Sequence, residues 1–174
     1  GESGTYYAFG GVLASFVSGK SDCKVTALTS GGSQANVEDL TNGNVQLAFV
    51  QSDVMNYAYN GQRLFDSPVT GFSVVAQLYQ EQVQIVTTNP DIKTVADLAG
   101  KKVSIGAAGS GVYFNAIDVL SAYDLKESDI SAVYQSFGDS AESLKDGKID
   151  AAFIVAGAPT TAITDLATTK DVYL

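Results

Sequence analysis

Gly1-Glu-Ser-Gly4-Thr5 and Gly106-Ala-Ala-Gly109-Ser110 spell one G-x-x-G-[ST] loop twice, and each is followed by an apolar helical pattern. A glycine-rich loop that runs into a helix start presents free backbone N–H groups and a partial positive charge, which together suit a carboxylate or another small anion. Four more small polar loops stand where an expected strand ends and a helix begins: residues 30–36, 51–53, 136–140 and 157–160. In open α/β sheets the ligand crevice lies outside the carboxyl ends of the strands, where such loops gather. The residues expected to bind are therefore Thr5, Tyr7, Ser33, Asn36, Gln51, Ser52, Ser110, Gly111, Asn115 and Pro159. Glycines and serines would donate N–H and hydroxyl groups, and Gln51 and Asn115 would orient the ligand. Tyr7 would form an aromatic wall while Tyr6 turns to the core. For any single loop, Ser, Thr, Asp and Gly serve equally well as caps and turn residues, and Asn36 and Asn115 fit a cleft or a solvated helix face alike. Arg63, the only arginine, follows the helix stop at Gly61 and reads as a surface residue.

Other chemistries lack their residues. The chain has no histidine, so Ser-His-Asp and Cys-His mechanisms and the usual zinc sites have no imidazole. Acidic residues do not fall at the spacing of a calcium loop, and no metal, cofactor or catalytic residue is expected. Gly19-Lys20-Ser21 fails as a phosphate loop because the first glycine of that motif would fall on Ala14, inside a helix. Ser21-Asp-Cys-Lys24 matches S-x-x-K but introduces a strand rather than opening a helix in a cleft. Cys23 is the only thiol and has no internal disulfide partner. A net charge of −9 repels a polyanion, which argues against nucleic acid as a partner. The longest apolar runs, such as residues 151–158, are far short of the ~20 residues of a membrane span, so no membrane insertion is expected.

The elements that must hold these loops alternate. Residues 5–17 place Tyr6, Phe9, Leu13 and Phe16 at intervals of three and four, which predicts a helix with that face buried. Strands are expected at 24–28 and 45–50, with a helix between them that Gly43 closes. A third helix runs from the Gln51-Ser52-Asp53 start to Gly61, and residues 72–78 and 82–88 are strand-like. Thr94-Val-Ala-Asp97 is a capping box whose short helix Gly100 stops. Strands at 103–105, 132–135 and 149–155 then alternate with helices opened by Ser110, Asp139 and Pro159. Glu38, Leu40, Gly43, Val45, Ala48, Phe49 and Val50 are answered in order by Glu142, Leu144, Gly147, Ile149, Ala152, Phe153 and Ile154. The pattern predicts an α/β chain of two similar lobes, 1–83 and 84–174, each an open, mainly parallel sheet flanked by helices, with hinge strands around 78–88. The second copy has a strand immediately before its loop and the first begins at its loop, so the chain is expected to be truncated at its start.

Eight motifs occur in the order found in a known family: Gly4-Thr-Tyr-Tyr7 with Gly10-Gly11, Ser30-Gly-Gly-Ser33 to Asn36, Ala48-Phe-Val-Gln-Ser-Asp53, Ala58-Tyr-Asn-Gly61, Asp97-Leu-Ala-Gly-Lys101, Gly106-Ala-Ala-Gly-Ser-Gly111, Asp150-Ala-Ala-Phe153 and Gly157-Ala-Pro-Thr160. Over nearly its whole length the chain resembles the TAXI family of solute receptors that feed TRAP-type membrane transporters. The resemblance implies a two-lobed, type II periplasmic-binding-protein fold and a location in the periplasm or at the extracytoplasmic surface. It implies a monomer that delivers a small carboxylate, such as glutamate, glutamine or a dicarboxylate, to a TRAP permease. It also implies a return segment to the first lobe after Leu174, and so truncation at both ends. Two other classes share the fold: a transferase-type enzyme using a covalently held cofactor or a carboxylate base, for which Cys23 is the only thiol, and a regulatory ligand-sensing domain.

Overall fold

The segment Ala151–Ala156 carries no charge and no polar side chain, the composition of a strand covered on both faces. In the computed structural model, which describes residues 1–174, this segment is β4, and every residue of it is buried. It lies between β1 (Gln82–Thr87), which runs antiparallel to it with Gln82 opposite Ala156, and β2 (Lys102–Ser104), which runs parallel with Val103 opposite Ala151. The strand β3 (Ser131–Val133) adds in parallel to β2, giving the order β1-β4-β2-β3.

Helices α4 (Val112–Ala122), α5 (Phe137–Lys145) and α6 (Thr161–Ala167) cover this sheet. Successive side chains of β4 point to opposite faces. Ala151, Phe153 and Val155 join Val103, Ile105 and the α4 residues Val112, Ala116 and Leu120, while Ala152 and Ile154 join Val86, Leu144, Ile163 and Leu166. The expected α/β architecture, a mainly parallel sheet flanked by helices, is what these residues form, as a single sheet and not the one per lobe that was expected. The Thr94 capping box is present, with Asp97 accepting from the Thr94 N–H at 2.8 Å, and it opens a single 3-10 turn over Val95–Leu98. No helix is long and apolar enough to cross a membrane.

The N-terminal half contributes α1 (Thr5–Lys20), α2 (Ser33–Thr41) and α3 (Ser52–Asn60). Helices α2 and α5 end alike. Gly43 and Asn44 donate to the carbonyl oxygens of Leu40 and Asp39, and Gly147 and Lys148 donate to those of Leu144 and Ser143. Both glycines take the left-handed conformation that this stop requires, with φ of 73° and 67°.

Three expectations need correction. Residues 24–28, 45–50 and 72–78 do not form strands; a strand is held by a hydrogen-bonded neighbour, and none of these segments has one. Leu28, Leu47, Val74 and Val75 are accordingly exposed. On α1 the buried residues are Gly10 and Ala14 rather than Phe9, Leu13 and Phe16: Gly10 lies against the Phe49 ring and Ala27, while Phe9 meets Phe49 and Tyr79 and stays 39% exposed. Finally, α6 starts at Thr161, so Pro159 precedes the helix instead of occupying its first turn.

A third apolar cluster joins the two halves. Phe114 of α4, 1% exposed, packs with Val37 of α2, Val54 and Ala58 of α3, and Phe65.

Candidate functional site

Gly4, Gly32 and Gly111 precede α1, α2 and α4, and none of these helices has a side chain capping its first N–H groups. Helix α5 shows the alternative: its leading Ser136 accepts from the Asp139 N–H at 3.2 Å. Helix starts leave N–H groups without intrahelical acceptors, and a glycine has no side chain with which to take them up. All three glycine-led starts open on one cavity of about 120 Å³. That is below the ~300–1,000 Å³ typical of sites for drug-sized molecules, so a small metabolite fits its scale and a nucleotide does not.

Close approach of the two glycine loops makes this convergence possible. Ala35 of α2 donates its N–H to the Gly109 carbonyl oxygen at 3.1 Å. Gly32 lies so near Ser110 that a Cβ on it would stand 2.9 Å from the Ser110 Cα. A Cβ on Gly111 would collide with Gln51 Oε1.

Hydroxyl groups complete the lining. Ser33 Oγ accepts the Gln51 N–H at 3.1 Å, and Thr5 Oγ1 accepts the Gly157 N–H at 3.2 Å. Ser110, 6% exposed, lines the same cavity and its Oγ has no hydrogen-bond partner. A buried hydroxyl without a partner costs free energy that a ligand acceptor would recover.

Of the ten residues expected to bind, Thr5, Ser33, Gln51, Ser110 and Gly111 line this cavity. The other five stand elsewhere. Tyr7 is exposed, and its neighbour Tyr6 lines the cavity instead, since adjacent helical residues point in different directions. Asn36 donates its amide to the Phe49 carbonyl oxygen at 2.7 Å. Ser52 is exposed at the start of α3, and Pro159 is exposed before α6. Asn115 accepts from Gln51 Nε2 at 2.7 Å and donates to Asp53 at 2.8 Å, so the two amides expected to orient a ligand bond to each other across the halves. Cys23 is exposed and is not part of the lining. A larger depression of about 510 Å³ runs along α5, but it is open to solvent and lined by Asp139, Glu142 and Asp146, a poor setting for an anion.

Glu81 was not among the expected residues and is the one side-chain carboxylate of Asp or Glu in the lining. It is the only charged residue between Asp66 and Asp91, a signal available in the sequence. Tyr6 Oη donates to Glu81 Oε2 at 3.2 Å. Burial pushes Glu81 up to about 7; the Tyr6 hydrogen bond opposes this rise and the nearby Asp53 adds to it. Between its ordinary 4.5 and about 7, the folded protein keeps a proton on Glu81 that the unfolded chain has released. The linkage relation then makes stability fall as pH rises through that window, with the group's contribution intact below it and lost above it. Urea unfolding of the native protein and Glu81→Gln should therefore show the native protein losing stability relative to the variant as pH rises from about 4.5 to 7. Groups such as Asp97, held below its usual range by the Lys93 and Thr94 N–H groups, act in the opposite sense and cancel in the difference. A difference that does not change with pH would refute the assignment.

The sequence model described as the NMT1-like family matches residues 1–174. Three solved structures are similar in fold. The arginine-bound form of truncated ArgBP from T. maritima shares 20% identity with TM-score 0.62, covering 95% of this chain and 69% of that one. A protein from Bordetella bronchiseptica RB50 shares 21% with TM-score 0.62, covering 99% and 53%. The alkanesulfonate-binding protein SsuA from Xanthomonas axonopodis pv. citri, bound to MOPS, shares 21% with TM-score 0.57, covering 87% and 49%. The chain spans about half the length of the latter two, at 53% and 49%. At such identities the likeness is one of fold, and that fold is of the periplasmic-binding-protein type.

Proposed function

The chain belongs to the NMT1-like family, and from that premise we propose that it is the ligand-binding part of an extracytoplasmic solute receptor taking one small organic acid into the cavity between its halves. The observation that carries this reading is the meeting of three glycine-led helix starts without side-chain caps at one cavity with the unpartnered Ser110 hydroxyl. Helix starts of this kind favour a negative charge, and short hydrogen bonds in a closed cleft outweigh a net charge of −9 screened over ~8–10 Å.

In this reading residues 1–83 and 84–174 are the two lobes, and 78–88 is the hinge. Thr5, Ser33, Ser110 and Gly111 contact the acid group, while Asn115 acts through Gln51. The motif order shared with TAXI receptors makes a TRAP permease the recipient. Proteins of this fold that bind arginine or alkanesulfonates agree with a small-ligand role. An enzyme reading finds no histidine in the chain and no thiol in the cavity, and would have Glu81 as its base.

A thermal-shift screen of small acids tests the proposal. Ligand at about one hundred times its Kd stabilises the folded state by about 2.7 kcal/mol, which in a domain of this size raises Tm by roughly 5–10 °C. A flat response to carboxylates and sulfonates alike would sink the reading.

A further inference from the structure

The cavity proposed to hold an acid is lined by a carboxylate, Glu81, and by no lysine or arginine. Its carboxylate accepts one hydrogen bond, from Tyr6, and makes no ion pair. Taking a carboxylate out of water without a cation is unfavourable, and buried charges in proteins are ordinarily paired. Donors for an acid group stand at the helix starts, while an acceptor for a cation stands at Glu81. We infer that the ligand is a zwitterion: Glu81 receives its ammonium group in a charge-assisted hydrogen bond while the helix starts receive its acid group. The inference rests on the receptor reading and narrows it to amino acids or aminosulfonates over dicarboxylates and simple acids.

A dicarboxylate would bring a second negative charge into the same small cavity as Glu81. Two carboxylates so confined cannot both ionise cheaply, so one would have to take up a proton. The two ligand classes therefore have opposite pH dependences. An ammonium ligand needs Glu81 ionised and drives a proton off it, so its affinity rises with pH through the Glu81 titration at about 7. A dicarboxylate takes a proton up, and its affinity falls.

The other groups near Glu81 are few. Tyr6 and Tyr79 are pushed up by burial and stay neutral. Asp53 adds repulsion and is hydrogen-bonded to Asn115. Gly1 also lines the cavity, and its nitrogen donates to the Ser30 carbonyl oxygen at 2.8 Å.

Calorimetric titration with three matched pairs tests the inference: L-alanine against propionate, L-glutamate against glutarate, and taurine against ethanesulfonate. In at least one pair the amino member should bind tenfold or more tightly than its deaminated partner, and its affinity should rise between about pH 5.5 and 7.5. Glu81→Gln should erase that preference. The taurine pair separates a sulfonate head group from a carboxylate. If the deaminated members bind as well as the amino members, or if the native protein binds more weakly as pH rises, the zwitterion assignment is overturned while the receptor reading stands. If Glu81→Gln keeps the preference, the role of Glu81 is overturned. If none of the six binds, the receptor reading falls and this inference with it. The matched-pair comparison on the native protein holds even if the variant folds poorly.

Discussion

Phe114→Ala is expected to cost about 3–5 kcal/mol, the range for removing a fully buried aromatic ring, and to lower Tm by on the order of 10 °C in a domain of this size. The ring is 1% exposed and lies in the first turn of α4, yet every buried side chain it packs with comes from residues 37–65. Tyr57 lies against it at 5.4 Å between ring centroids and Tyr113 at 5.7 Å. The site cannot easily close over the lost ring. Val37 and Val54 ride on helices tied to α4 by the Gln51–Asn115 amide bond and by the Ala35–Gly109 backbone bond. The outer contacts in this interface, Arg63 with Asp118 and Tyr57 with Asp118, are exposed or partly so and contribute little by comparison. Phe153→Ala supplies the comparison, since that ring is equally buried but belongs to the cluster against the sheet. Urea denaturation should show both losses. Only Phe114→Ala should also speed proteolysis within residues 21–32 and 61–71 under native conditions, because it alone loosens the N-terminal helices from α4. Equal protection of those segments in both variants would mean that Phe114 does not join the halves.

How far the sequence revealed this arrangement can be traced residue by residue. The apolar run Ala151–Ala156 announced a central strand because burial on both faces leaves no place for a polar side chain. Gly43 and Gly147 announced two equivalent helix stops because few other residues take up a positive φ cheaply. Both signals are local, and both were legible. Residues 24–28, which alternate, and 45–50, a nearly continuous apolar run, have the faces of strands, but a face says nothing about an edge, and no neighbour pairs with theirs. Half of the expected binding residues line the cavity because a loop's position between elements is legible, whereas the direction of a side chain on it is not. Asn36 illustrates the point: nothing in its spacing shows that the Phe49 carbonyl oxygen would claim its amide. Glu81 is not legible for the opposite reason: it lies on no helix start, and a carboxylate donates nothing to an anion.

Gly32→Ala should destabilise the protein by more than any exposed glycine substitution, and should also abolish acid-dependent stabilisation. Gly32 has φ 131° and ψ −154°, a region that glycine alone occupies readily, and forcing another residue there costs about 1–3 kcal/mol. A second penalty is added by position. The new Cβ would stand 2.9 Å from the Ser110 Cα and 3.1 Å from its Cβ, so backbone must move to admit it. Movement there draws the start of α2 away from the loop before α4, straining the Ala35–Gly109 bond and separating two of the three helix starts that face the cavity. Gly43→Ala separates the two effects. Gly43 also has a positive φ, of 73°, but a Cβ there would meet nothing within 4 Å, so that variant carries the conformational penalty alone. Its Tm should fall by less, and its response to a bound acid should match that of the native protein. Should the two variants lose the same stability and respond alike to acids, the contact between Gly32 and Ser110 would have no part in shaping the site, and the convergence of helix starts would have to be maintained by the Gln51–Asn115 bond instead.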